Sequence, residues 1–393
     1  MNRRLALAFS LSVAAVTSAC GQTLDLGKDV PAGCEGKPAG ARILSTLAEL
    51  PDFVPLSMVV VGNAAYVGGY SLPGRSFANA SPETRDIGRL VRVPLDGGLA
   101  TEVWRGTWFR SPLKVQGARI VFTEYDPANT SNYPVFGGVD VYDSATSAAA
   151  QIPNVPGRDY VVDFEVVPDG VVFSSATFLS NGGSTMPGYS VARASFADLR
   201  ARSFFEHPTQ APLFLRRGET VLASMLADGS ESGYDDPTSQ ALDLAMFAVD
   251  ATGLRLERRL TELMSPRTAT SAGMSYAVVY ADDTAYYVAE TAQQYTTTQR
   301  LPRAARTNAP ESVVSGSLGR PRFFGREVLW TPATDRSMVR ARAFDGTDNR
   351  NGTELAFDAR RQIVAFAPDA CGVTWVSYSS DGDSYRVMSA PRL

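Results

Sequence analysis

The sequence predicts an all-β protein, a seven-bladed β-propeller of four-stranded blades whose last blade is closed by a strand from the N-terminal side. Three observations lead there. The 393 residues include 33 Gly and 24 Pro, and no segment carries the pattern of a long amphipathic helix. A strand–turn–strand unit recurs roughly every 43 to 62 residues and can be followed through seven copies. The seventh copy runs out of chain before a fourth strand, while an orphan apolar segment, 41–47, stands ahead of the first copy. Six or eight blades, or paired β-sandwiches, are the other all-β arrangements this pattern allows.

The copies are residues 58–67, 113–123, 166–174, 214–223, 278–288, 323–331 and 365–376. In each, an apolar strand meets a tight turn of Gly or Asp, and a second strand follows, with aromatics such as Tyr66, Phe122 and Trp330 near its middle. A loop and a third strand come next, as at 90–98, 140–144, 246–250 and 339–346, and then a more polar fourth strand, as at 100–105 and 255–260. Four short strands per unit at this period define a propeller blade. The last blade holds a third strand at 384–389 and nothing after it. Donating 41–47 as its fourth strand closes the ring and removes an exposed edge.

The start of the chain has a different logic. Asn2, Arg3 and Arg4 precede an apolar run over 5–15. A run of about eleven to fifteen residues is too short to span a bilayer of roughly 30 Å, so residues 1–19 read as a processed secretion signal. Ser18 and Ala19 before Cys20 resemble the lipobox of bacterial lipoproteins, in which the cysteine thiol takes the lipid. Thr17 stands where that family most often has Leu, and an ordinary signal peptide cut after Ala19 is the alternative. In that family a residue other than Asp after the cysteine, here Gly21, implies sorting to the outer membrane. The resemblance thus implies an outer-membrane lipoprotein on the periplasmic or cell-surface side, with 20–40 as a lipidated tether and 41–393 as the propeller domain.

Two cysteines remain. Cys34 lies just before the closing strand, and Cys371 lies in the turn into the second strand of the blade that strand completes. In an oxidising compartment the two are expected to pair. A closed loop of over 300 residues contributes about 5 kcal/mol or slightly more by chain entropy. Two unpaired thiols are the alternative. The turn Arg92-Val93-Pro94-Leu95-Asp96-Gly97-Gly98 and the second strands 328–331 and 373–376 resemble blades of the YWTD and NHL-type propellers of secreted and lipoprotein chains. Most other copies depart from those motifs.

Chemistry is sparse. A net charge of −4 with no basic stripe argues against nucleic acid as a partner. Lysine occurs only at 28, 37 and 114, so nearly all positive charge is Arg. One histidine, His207, can build neither a catalytic triad nor a multi-histidine metal site, and in Glu206-His207-Pro208 it reads as a turn residue. Segments 188–192 and 273–277 loosely resemble a nucleophile elbow but lack the last Gly and read as strand entries. No phosphate-binding glycine loop is present. Residues 228–236 place oxygen side chains like a calcium loop, yet the twelfth position is Ser239 instead of the bidentate Glu. Residues 345–352 read as a polar hairpin turn. No catalytic residue, no metal ligand and no cofactor is assigned, with Ca²⁺ as the one candidate ion.

Loop length is the remaining clue. The second-to-third connections 71–88, 126–137, 178–188, 228–241 and 292–300 read as long, and in a propeller they emerge on one face. They carry Phe77, Tyr133, Phe136, Phe178, Tyr234 and Tyr295, suited to stacking on sugars or peptides, although such rings also pin down their own loops. The expectation is a monomeric, membrane-tethered binding or scaffold module for a protein or a cell-envelope glycan. The alternatives are a lactonase- or lyase-type enzyme using a divalent ion held by channel carboxylates, and a structural lipoprotein without a small ligand.

Overall fold

The computed structural model describes residues 41–391 apart from 48–52, 72–86, 108–111, 125–136, 159, 178–187, 208–211, 227–243, 251, 261–273, 293–294, 306–309, 344–351, 359 and 380–383. Among these described residues, twenty-eight strands form seven four-stranded antiparallel sheets arranged as blades. A single closing strand, β1 (Arg42–Thr46), comes first. Blade 1 holds β2 (Phe53–Val61), β3 (Ala64–Ser71), β4 (Ile87–Pro94) and β5 (Thr101–Gly106). Blade 2 holds β6 (Lys114–Gln116), β7 (Arg119–Phe122), β8 (Gly138–Asp143) and β9 (Ala148–Pro153). Blade 3 is β10 (Tyr160–Val167), β11 (Gly170–Ala176), β12 (Tyr189–Ser195) and β13 (Arg202–His207). Blade 4 is β14 (Leu213–Arg217), β15 (Thr220–Leu226), β16 (Leu244–Val249) and β17 (Leu254–Arg259). Blade 5 is β18 (Met274–Ala281), β19 (Ala285–Ala292), β20 (Tyr295–Pro302) and β21 (Glu311–Leu318). Blade 6 is β22 (Arg322–Phe324), β23 (Glu327–Trp330), β24 (Met338–Ala343) and β25 (Thr353–Phe357). Blade 7 has β26 (Gln362–Asp369), β27 (Gly372–Ser379) and β28 (Ser384–Pro391), and β1 completes it in the order β1-β28-β27-β26.

The seven blades and the N-terminal closing strand match the expectation, and the six- or eight-blade and paired-sandwich alternatives fall away. Turn chemistry explains the regularity. In blades 1, 2, 4 and 6 the turn from first to second strand has two residues, and its first is Gly62, Gly117, Gly218 or Gly325, each with φ between +58° and +60°. A left-handed residue at this position gives a turn whose twist matches the strands it joins, and Gly adopts it without a Cβ clash.

Seven apolar clusters fill the gaps between neighbouring blades. Between blades 1 and 2, for example, Val59, Tyr66 and Leu90 meet Ile120, Phe122 and Tyr142. Both faces of each blade are therefore buried, which is why the second strands read as nearly continuous apolar runs. At the closing seam Leu44 and Leu47 pack with Val376 and Val387 of blade 7 and with Phe53, Met58, Val67 and Val93 of blade 1. Blade 1 also grips β1 through polar bonds, from Gly98 N to Leu44 O at 3.2 Å and from the Arg42 guanidinium to Leu95 O.

Two expectations are corrected. The connection over 292–300 is not a long loop, because β19 and β20 run almost together and pair from Ala292↔Tyr295 onward. His207 is the last residue of β13, paired with Tyr189, and not a turn residue.

Candidate functional site

The first strand of every blade, β2, β6, β10, β14, β18, β22 and β26, lines one open central cavity of about 650 Å³. Its lining includes Val60, Val115, Glu165, Arg216, Tyr280, Phe324 and Pro368, each within two residues of its strand's end. The cavity thus occupies the half of the channel toward the short first-to-second-strand turns. That face is opposite to the one where the second-to-third connections emerge.

Charge in this cavity is unequal. Four cations, Lys114, Arg216, Arg320 and Arg322, share it with two carboxylates, Asp163 and Glu165. Lys114 takes up both acids. Its Nζ stands 2.9 Å from Glu165 Oε2, also reaches the Phe164 carbonyl, and lies 5.1 Å from the centre of the Phe164 ring. Burial draws the Lys114 ammonium down, but the Asp163 and Glu165 carboxylates outweigh it and hold the group above its ordinary pKa. Asp163 also accepts the Phe214 backbone N–H through Oδ2 at 2.6 Å, tying blade 3 to blade 4.

The three arginines are held differently. Arg216 Nη1 donates to Gln116 Oε1 at 2.8 Å, so blade 4 reaches blade 2 past the inner strand of blade 3. Arg322 Nη1 donates to the Met58 carbonyl at 3.4 Å, and its guanidinium stands 5.7 Å from the centre of the Phe366 ring. Desolvation pulls the Arg322 pKa below its ordinary value. Arg320 is exposed and lies within electrostatic reach of Lys114. Among the described residues none of these three arginines has a carboxylate partner. Tyr280 and Phe323, stacked at 4.6 Å with 4° between their planes, give the cavity an aromatic wall.

Two engaged carboxylates and four cations do not suit a divalent cation, and no group of three or more His, Cys, Asp or Glu that could hold a metal occurs among the described residues. A second polar cluster lies between blades 1 and 2, on the face of the second-to-third connections. Glu124 Oε2 accepts from Thr107 N and Oγ1 at 3.0 and 3.1 Å, while Gln151 Nε2 donates to Glu124 Oε1 at 2.9 Å and Asp140 Oδ1 at 3.3 Å. Asp140 is buried, its Oδ2 has no hydrogen-bond partner among the described residues, and desolvation together with the Glu124 charge pushes its carboxyl well above the usual range.

Of the six aromatics expected on the loop face, Tyr295 alone lies among the described residues. It begins β20 at the rim of that face and is 45 % exposed. Phe77, Tyr133, Phe136, Phe178 and Tyr234 lie outside the described residues, as do Cys20, Cys34 and the acidic segment 228–236. Cys371 is in the two-residue turn between β26 and β27, with its N–H donated to Asp369 Oδ1 at 2.6 Å. The channel cations were not singled out in the sequence. A usable signal existed, because Lys114 is the sole lysine after residue 37 and falls in an innermost strand.

The class these features define is a seven-bladed propeller with an open, cationic channel. No protein-family model and no curated protein matches the chain. Solved propeller structures do. The β-propeller domain of the Trilobed protease from Pyrococcus furiosus, described as having an open velcro topology, is 9% identical with a TM-score of 0.55, over 86% of this chain and 95% of that one. An oligogalacturonate lyase in complex with manganese is 11% identical with a TM-score of 0.55, over 91% and 94%. The acylaminoacyl peptidase of Pyrococcus horikoshii is 10% identical with a TM-score of 0.54, over 86% of this chain and 53% of that one. At such identities the likeness concerns the fold.

Proposed function

We propose that the protein is a lipid-anchored propeller of the outer membrane that works as a binding or scaffold module, holding a protein or a cell-envelope glycan on its loop face. The observation that carries this reading is the polarity of the ring relative to its tether. Arg42 pairs with Ser389, and Ser389 pairs with Thr374, so β1 begins on the side of the 370–371 turn. A tether leading into β1 therefore meets the short-turn face, and the loop face with Tyr295 points away from the anchor. The same geometry supports the Cys34–Cys371 bond. Arg42 lies two strand spacings from Thr374, roughly 10 Å, and the eight residues from Cys34 to Arg42 reach up to about 27 Å.

Two measurements test the reading together. Cys20→Ser is expected to move the protein from the membrane to the soluble fraction. A photo-crosslinking residue at Tyr295 of the anchored protein is expected to capture one defined envelope component, and the same residue at Arg326, on the short-turn face, is not. Membrane retention of the Ser variant removes the anchor, and capture only from Arg326 removes the loop-face module.

A further inference from the structure

We infer that the central cavity is a binding site for a small multivalent oxyanion, carrying carboxylate or phosphate groups, held by Arg216, Arg320 and Arg322. This site faces the opposite end of the ring from Tyr295 and does not depend on the loop-face reading.

Three independent features point the same way. The first is the charge balance. Both cavity carboxylates are engaged with Lys114 or with the Phe214 N–H, four cations face these two acids, and among the described residues none of the three guanidinium groups pairs with a carboxylate. Elsewhere in the ring some part-buried arginines rest on carboxylates, while others, such as Arg258 and Arg342, donate to backbone carbonyls. Arg217 and Arg303 both meet Glu257 Oε1 at 2.6 Å, and Arg386 clamps the buried Asp358. The channel gathers in one cavity three arginines that, among the described residues, rest on no carboxylate.

The second feature is how loosely these cations are held. Arg322 has one long bond to a backbone carbonyl and a ring contact, Arg216 is bonded to neutral oxygens only, and Arg320 has no hydrogen bond or ion pair among the described residues. Confining like charges together in a cavity is unfavourable, and an anion relieves that repulsion while satisfying the spare N–H groups. Guanidinium donors match carboxylate and phosphate oxygens in pairs, which a lysine cannot do as well.

The third feature is size and shape. A cavity of about 650 Å³ fits the range of small-molecule sites, roughly 300–1,000 Å³. The Tyr280–Phe323 stack offers an apolar wall beside the charged groups.

The test is calorimetric titration of the mature protein with citrate and, separately, inorganic pyrophosphate, with glycerol as the neutral control. Saturable one-to-one binding with a Kd below about 1 mM at low salt, weakening as salt rises, is the expected result. Binding of one probe and not the other assigns the site to carboxylate or to phosphate chemistry. Arg320→Gln is expected to weaken binding about tenfold without affecting folding, since Arg320 is exposed and makes no bond among the described residues, and Arg322→Gln to weaken it further. Arg193→Gln, which removes an exposed surface pair with Asp169, is expected to leave it unchanged. Absence of saturable binding to either probe up to about 10 mM overturns the site, and so does equal binding by wild type and the folded Arg320→Gln protein.

Discussion

The seam between blades 7 and 1 is closed by apolar packing, whereas the inner strands of blades 2 to 4 add polar links across the channel to the apolar clusters between those blades. At the seam the inner strands β2 and β26 are long, and the junction is filled by Leu44, Leu47, Phe53, Val376 and Val387. Across blades 2 to 4 the inner strands include the three-residue β6, and the contacts that cross the channel are polar, from Lys114 to Glu165 and from Arg216 to Gln116. Apolar burial needs close contact and leaves no room. Long charged side chains bridge a wider gap and leave a cavity among them. Closure thus rests on apolar packing at the seam, while the cavity inside the ring takes its charged groups from blades 2, 3, 4 and 6.

The largest effect is expected at the seam. Leu44 is 4 % exposed, and Leu44→Asp puts an unpaired charge where β1 locks the ring, at a cost of about 4 kcal/mol or more. Urea denaturation is expected to show a large drop in midpoint or an unfolded protein. A mild shift would mean that β1 is dispensable to the seam.

On the polar arc the effect is smaller. Lys114→Met strands Glu165 and Asp163 in a partly enclosed place, for a loss of about 2–3 kcal/mol. Adding Glu165→Gln is expected to recover part of it in the double variant, since the partner charge is then gone. If the double variant is as unstable as the sum of the singles, the pair acts through packing and not charge. Lys114 and Glu165 would then join blades 2 and 3 as the apolar residues join the seam.

The smallest effect comes from Asp140, whose folded-state pKa is raised by burial and by Glu124. Its contribution to stability is fully present below the unfolded pKa and is lost as pH climbs toward the raised folded value. Asp140→Asn is therefore expected to raise Tm by about 1–2 °C near pH 8, with the gain vanishing toward pH 4. A gain that grows on acidification would reverse the assignment.

Much of the fold was legible because the turns repeat. Gly62, Gly117, Gly218 and Gly325 mark the same left-handed position in four blades, and the orphan strand at 41–47 had one place to go. Blade 5 hid its third strand. Thr296 and Thr298 are fully buried, and the Thr291 and Thr296 hydroxyls lie 3.1 Å apart and hydrogen-bond each other, so polar residues occupy interior positions of the blade. Hydropathy reads such a segment as loop. The channel was illegible for another reason: Lys114, Arg216 and Arg322 come from strands about 100 residues apart, and only ring closure brings them to one cavity.

One consequence of the closing strand is mechanical. Tension on the chain ahead of residue 41 enters the ring at Arg42 and runs along the five residues of β1, loading the β1–β28 hydrogen bonds in parallel instead of unzipping them one by one. The Leu44 to Gly98 and Arg42 to Leu95 bonds share that load with blade 1. A cross-link at Cys371 would divert the pull into the β26–β27 hairpin and spare the latch.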